Sequence, residues 1–226
     1  MSNELLKQEI ERAMDNAPLQ KALKNFTTAY PGNREKVYKG YDFEALREKV
    51  HEVKTYAREH LDEVMAEFIK NAEANGAHVF VAHSPEEAMD YALKLAKDNN
   101  VKLAVKSKSM ASEEMHFNQN FEKNGITAQE TDLGEFINSI AGDTPSHMVM
   151  PAIHYSKEDV ADLFTSYTKE KEEPIISKEV KTSRRVMRPK FLAAEMGVSG
   201  ANVAVAETGT VITMTNEGNG RMVGTL

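Results

Sequence analysis

Two lysines and two hydroxyls fall within four residues at Lys106-Ser107-Lys108-Ser109, between an apolar run at 101–105 and the start of a helical pattern. Ammonium groups, hydroxyls and the free N–H groups of a helix start together favour an anion such as a carboxylate or phosphate. Open α/β sheets bind ligands at the carboxyl edge of their strands, and this tetrapeptide falls at such an edge. The competing account is a solvated turn in which Ser109 or Ser112 caps the helix. The glycines of a phosphate-binding loop are missing. Glu130 closes the next predicted strand, 126–129, and can point into the same crevice, whereas Asp132 reads as a helix cap. Glu113 and Glu114 fit simple helix-start electrostatics. Among the histidines, His154 follows a predicted strand end and is the candidate for proton transfer or substrate binding. No His-Glu-x-x-His or similar spacing suggests a metal site.

A second polar stretch spans 202–220. Glu207-Thr208-Gly209-Thr210 places a carboxylate at a tight turn between strands of small residues, a costly position unless something uses it. Asn216-Glu217-Gly218-Asn219-Gly220 adds a second loop with two amides and a carboxylate. Thr208, Gly209, Thr210, Asn216 and Asn219 are therefore candidate ligand contacts, with Glu207 a candidate for catalysis. The plainer account is two successive reverse turns, which Asn and Gly favour. Loops from one hairpin ordinarily emerge at opposite ends, so a shared pocket requires a bend or a third strand.

These residues need elements to hold them. Apolar residues at helical spacing predict a helix over 4–30, broken at Tyr30-Pro31-Gly32-Asn33, then a long helix from the cap Asp42 to Asn75-Gly76. The first third thus reads as a helical extension, 1–75, packed against the remainder of the chain or against a second subunit. From residue 76 the pattern alternates. Strands are predicted at 79–81, 101–105, 126–129 and 148–150. Helices come after them at the Ser84-Pro85-Glu86-Glu87 capping box, over 111–123, from Asp132 to 140, and from Ser156 to 167. Such alternation predicts an α/β domain over 76–226 with a mainly parallel sheet flanked by helices. A basic amphipathic helix over 177–196 carries Lys178, Lys181, Arg184, Arg185 and Arg188. That run is either a solvated face or a contact for an acidic partner surface or ligand carboxylate. Two runs, 202–206 and 210–215, predict a hairpin.

Composition narrows the function classes. In 226 residues there is no cysteine, which excludes disulfides, thiolate nucleophiles and cysteine-bound clusters from this stretch of sequence. A net charge of −7 argues against a general nucleic-acid binder. No apolar run is long enough for a membrane span, and no secretory pattern opens the chain, so the cytoplasm is the expected compartment.

Several motifs, in order, resemble one known family. Gly197-Val-Ser-Gly-Ala-Asn202, Ala206-Glu-Thr-Gly-Thr210 and Asn216-Glu-Gly-Asn219 are similar to the signature of the LUD domain of lactate-utilisation proteins. Lys106-Ser-Lys-Ser-Met110 with Glu113-Glu114, Glu130-Thr-Asp-Leu-Gly-Glu135, and Pro145-Ser-His147 with Pro151-Ala-Ile-His154 match upstream of them. The iron–sulphur subunit of that system is the nearest pattern. The resemblance implies a fold like that of ribose-5-phosphate isomerase and the CoA transferases. It implies no cofactor within these residues, and 4Fe-4S clusters in a ferredoxin-like domain before which the chain is truncated. It also implies partner subunits and a part in oxidising L-lactate to pyruvate. On that basis Lys106, Lys108 and Glu130 are expected to line a site for a small carboxylate, with His154 and Glu207 handling protons. Glu207 resembles in placement the CoA-transferase nucleophile, a likeness of fold only. A non-catalytic scaffold, or an isomerase or acyl-transfer enzyme on a phosphorylated or CoA-linked substrate, remains the alternative.

Overall fold

A computed structural model describes residues 3–143 and 145–225. The chain forms two compact units, Met1–Ala66 with Ile153–Ser156, and Glu67–Ala152 with Lys157–Leu226. The first is helical. It holds α1 (Asn3–Asp15), α2 (Ala17–Tyr38), α3 (Phe43–Glu59) and the start of α4 (Leu61–Ala74). Asn16 separates the first two by accepting the Leu19 N–H at 3.0 Å, with Pro18 in the first turn of α2. That boundary replaces the predicted single helix, and α2 runs on through Pro31 instead of stopping at residue 30. Asp42 caps α3 as expected, through the Ala45 N–H. His60 divides the predicted long helix into α3 and α4, its ring stacked on Tyr56 at 4.2 Å.

The second unit is α/β. In chain order it comprises α5 (Pro85–Asp98), β1 (Leu103–Lys106), α6 (Met110–Glu114), α7 (Phe117–Lys123), β2 (Thr127–Glu130), α8 (Leu133–Ala141), α9 (Lys157–Thr168), α10 (Ile176–Ala193), β3 (Met196–Val198), β4 (Val203–Val205), β5 (Thr210–Ile212) and α11 (Asn219–Val223). A three-stranded parallel sheet has the order β2-β1-β3, and β4 and β5 form a separate antiparallel hairpin. The core gathers Met89 and Ala96 of α5, Ala104 of β1, and Phe117 and Phe121 of α7, with Val101 and Ile126. The two phenylalanines stack at 4.0 Å. A second aromatic cluster, Phe136 with Phe164 and Tyr167, joins α8 to α9. Central β1 is therefore walled by apolar side chains while its last residue, Lys106, reaches the carboxyl edge.

Several predicted elements differ. Residues 79–81 form no strand, because Phe80 lies flat on Tyr91 of α5 at 4.3 Å instead of entering a sheet. Residues 148–150 form bends: His147 Nδ1 accepts the N–H of Val149 and of Met150 at 3.1 Å each, and Ser146 N–H donates to the Pro151 carbonyl. With Met148 and Val149 65% and 66% exposed, no face exists for a strand to bury. The helix predicted over 111–123 breaks at His116, whose φ is +51°. At the other end, the basic helix stops at Ala193, and Met196–Val198 becomes the third sheet strand by pairing with Ala104–Lys106. Near the end of the described residues, Met222 and Val223 close α11 and Gly224 and Thr225 form a turn. Gly197 admits that helix, since a Cβ there would lie 2.0 Å from the Val223 carbonyl oxygen.

The hairpin turn packs on α4. Gly209 has φ +67°, and an added Cβ would meet the Ala72 nitrogen at 2.3 Å. Asn71 of α4 and Asn75 just after it donate to the carbonyls of Ala206 and Thr208 at 2.8 and 2.9 Å. Gly209→Ala should therefore lose roughly 2–4 kcal/mol, from left-handed strain plus a backbone clash. Urea unfolding checks this: the midpoint should fall with little change in slope. Wild-type stability in that variant would contradict the packing of the turn on α4.

Candidate functional site

Lys106 ends β1 on the carboxyl edge of the sheet, and its side chain is 1% exposed. A buried ammonium needs partners, and two elements supply them. Its Nζ lies 2.7 Å from Glu113 Oε1 of α6 and 2.8 Å from Glu130 Oε1 of β2, and donates to Ser112 Oγ of α6 at 3.1 Å. The parallel register of β1 with β2 sets Lys106 directly beside Glu130. Ser109 caps α6 through the Ser112 N–H, which turns that short helix so that Ser112 and Glu113 face the ammonium. Asn118 of α7 donates to Glu130 Oε1 at 2.6 Å. Glu130 Oε2 and Asn118 Oδ1 are buried with no hydrogen-bond partner among the described residues.

Burial alone would push the Lys106 ammonium down, but Glu130 and Glu113 outweigh it and hold its pKa above the ordinary lysine value. Burial drives the Glu130 carboxyl up from the ordinary carboxylate value, against the pull of Lys106 and Asn118 and with repulsion from Glu113. Two carboxylates thus share one ammonium. Lys106 is committed to this internal pairing.

Lys108 stands two residues on, so its side chain is set by the loop after β1. Its Nζ lies 3.4 Å from Glu135 Oε1 of α8 but has no hydrogen-bond partner among the described residues, although the atom itself is buried. Burial raises the Glu135 carboxyl, with Lys108 opposing and Glu113 reinforcing the shift. The start of α8 is crowded with carboxylates. Asp132 Oδ1 accepts the N–H of Gly134 and of Glu135 at 3.1 Å each, and Glu217 Oε2 accepts the Leu133 N–H at 3.0 Å. Loss of water raises the Glu217 carboxyl as well; the Leu133 N–H and Lys108 oppose that, and Asp132 repels it. One turn into α8, on the same face as Glu135, Asn138 is 1% exposed with neither amide atom hydrogen-bonded among the described residues.

A hydroxyl–amide chain ties the post-hairpin loop to the sheet. Thr215 Oγ1 donates to Asn219 Oδ1 at 2.8 Å, Asn219 Nδ2 to Thr131 Oγ1 at 3.2 Å, and Thr131 Oγ1 to the Lys106 carbonyl at 2.9 Å. Of the residues singled out in the sequence, Lys106, Lys108, Glu130 and Asn219 come together here. Asn216 is exposed in the same loop. Glu207, Thr208, Gly209 and Thr210 lie at the opposite end of the hairpin, where Glu207 is exposed and Thr208 Oγ1 donates to Thr210 Oγ1. His154 falls in the Ile153–Ser156 segment of the first unit, its ring 4.2 Å from that of Tyr155.

Sequence reasoning passed over Ser112, Asn118, Thr131, Glu135, Asn138 and Glu217 as site residues. Glu217 carried a signal, a carboxylate between Asn216 and Gly218; the others look like ordinary helix and strand residues until the sheet edge collects them. A groove of about 740 Å³ between α5 and the α6–α7 corner, floored by Met89, Leu93 and Met115, shares no residue with this cluster. Among the described residues no group of His, Asp or Glu is arranged to hold a metal ion, and no helix is long and apolar enough to cross a membrane.

Residues 65–226 match the family described as the LUD domain. Lactate utilization protein B of Bacillus subtilis (strain 168) is 40% identical over 191 residues, covering 82% of this chain and 39% of that protein. The protein of the same name from Bacillus velezensis (strain FZB42) is 40% identical over 186 residues, with the same shares. An "Uncharacterized electron transport protein YkgF" of Escherichia coli (strain K12) is 34% identical over 226 residues, 100% of this chain and 48% of that protein. The chain thus spans less than half the length of these relatives. No solved structure matches it significantly.

The ion cluster makes a stability prediction. Lys106→Met would leave Glu113 and Glu130 beside each other without their cation, at a cost of about 3–5 kcal/mol near neutral pH. The folded pKa of Glu130 lies above its ordinary value, so its protonated form favours folding below the carboxylate range, a contribution lost as pH rises through the raised value. The deficit of the variant should therefore shrink as pH falls towards that range. Thermal unfolding across pH measures it, and a pH-independent deficit would refute the charge origin.

Proposed function

The chain belongs to the LUD-domain family, and we propose that its second unit binds a small carboxylate at Lys108, as a domain of a lactate-oxidising electron-transfer system. The observation that carries this reading is the Lys108 ammonium, buried at the carboxyl edge of a parallel sheet without a hydrogen-bond partner among the described residues. Lys106 is fully engaged by Glu113 and Glu130 and serves as the fixed floor. Glu135 and Glu217, with carboxyls raised by loss of water, can take up the proton that an incoming anion favours. Asn138, whose amide makes no hydrogen bond among the described residues, offers a partner for a hydroxyl or carbonyl of the same ligand, and Asn219 anchors the loop beside it. The relatives' names, lactate utilization and electron transport, support L-lactate or pyruvate as that ligand.

Iron–sulphur clusters do not fit these residues, which include no cysteine, so no electron step is routed through them. In this reading the domain presents its ligand, and the redox centres and partner subunits act from elsewhere in the assembly. A second reading, a scaffold that docks other lactate-utilisation subunits, draws on the first unit. There α3 buries none of its residues and shows Leu46, Val50 and Val53, 43%, 49% and 62% exposed, along one face.

Titration calorimetry with L-lactate and pyruvate tests the site. Binding should weaken at least tenfold in Lys108→Met and persist in Glu207→Gln, whose carboxylate sits at the far end of the hairpin. Equal affinity in wild type and Lys108→Met would sink the assignment. No binding by any form would favour the scaffold.

A further inference from the structure

The start of α8 offers three amides to anions, and the chain fills them from two sources. Asp132, immediately before the helix, takes the N–H groups of Gly134 and Glu135 and is sufficient as a cap. The third amide, Leu133 N–H, goes to Glu217, a residue 84 positions away on an exposed loop. Glu217 reaches it because Gly218, at φ +78°, turns the backbone between Glu217 and the anchored Asn219.

Two observations besides the helix end mark this as a place for a ligand anion. Lys108 Nζ is buried 3.4 Å from Glu135 Oε1, makes no hydrogen bond among the described residues, and also draws on the Glu217 carboxylate. One turn further, Asn138 is 1% exposed with an amide that meets no partner among the described residues. Glu217 shares this helix start with the Asp132 carboxylate, which repels it.

We infer that Glu217 is an internal stand-in for the ligand's carboxylate, seated on Leu133 N–H beside Lys108 and displaced when a small carboxylate binds. This rests on the carboxylate-binding reading above and adds a regulatory device to it. Displacement frees residues 216–218, while Asn219 stays tied to Thr131 and Thr215. The site is therefore closed by its own side chain when empty, and its apparent affinity is reduced by the fraction of time Glu217 holds the seat.

Calorimetry with L-lactate on the full chain, comparing wild type, Glu217→Ala, Glu217→Gln and Glu217→Ala/Lys108→Met, tests the idea. Glu217→Ala should bind about tenfold tighter than wild type, as expected if Glu217 occupies the seat about nine-tenths of the time. Glu217→Gln keeps an acceptor for Leu133 without the charge and should gain less. The double variant should lose the gain. Thermal unfolding and circular dichroism confirm that each variant folds. Wild-type binding that depends on Lys108, with unchanged or weaker binding in Glu217→Ala, would overturn the inference and leave the carboxylate site standing. Absence of binding in wild type and Glu217→Ala alike would overturn both.

Discussion

A single buried ammonium organises the α/β unit of this molecule. Lys106 sits at the end of the central strand with almost no contact with water, and its charge is sustained only because α6 and β2 each deliver a carboxylate to the same nitrogen. An ion buried this way is destabilising unless every partner is in place. The demand falls on geometry: β2 must pair in one register, and α6 must be turned by its serine cap. The break at His116 belongs to the same arrangement. It separates α6, which carries Glu113, from α7, which carries the core phenylalanines and Asn118.

The balance of charge around that ammonium explains the chemistry of the rest of the edge. Glu130, Glu135 and Glu217 are all raised by loss of water, Lys106 opposing the first shift and Lys108 the other two, so carboxyl groups outnumber cations along this edge. The hydroxyl–amide chain from Thr215 through Asn219 and Thr131 to the Lys106 carbonyl ties the backbone of this edge to the loop above.

Much of this was legible in the sequence where the signal is local. The caps at Asp42, Ser84, Ser109 and Asp132 act within three residues, and alternating strand and helix patterns named the α/β class. That Lys106, Lys108 and Glu130 gather at one sheet edge was legible because each lies at or just after the end of a parallel strand. What stayed hidden was long-range. Met196–Val198 is a three-residue strand whose identity comes from pairing with β1, and nothing within it distinguishes it from a helix end. Residues 148–150 read as a strand by composition, but His147 takes two of their amides into a turn. The placement of His154 and of the Glu207 turn depended on which neighbours each segment found, and periodicity carries no information on that.

The hairpin links distant parts of the second unit mechanically. β4 and β5 are each three residues long, a ribbon about 10 Å from end to end. One end is clamped to the backbone of α4 through Gly209, Asn71 and Asn75; the loop leaving the other end carries Glu217 and Asn219 to the sheet edge. The ribbon therefore gives α4 and the polar loop one short element in common, so the Gly209 turn and the Asn219 anchor fix where the same hairpin begins and ends.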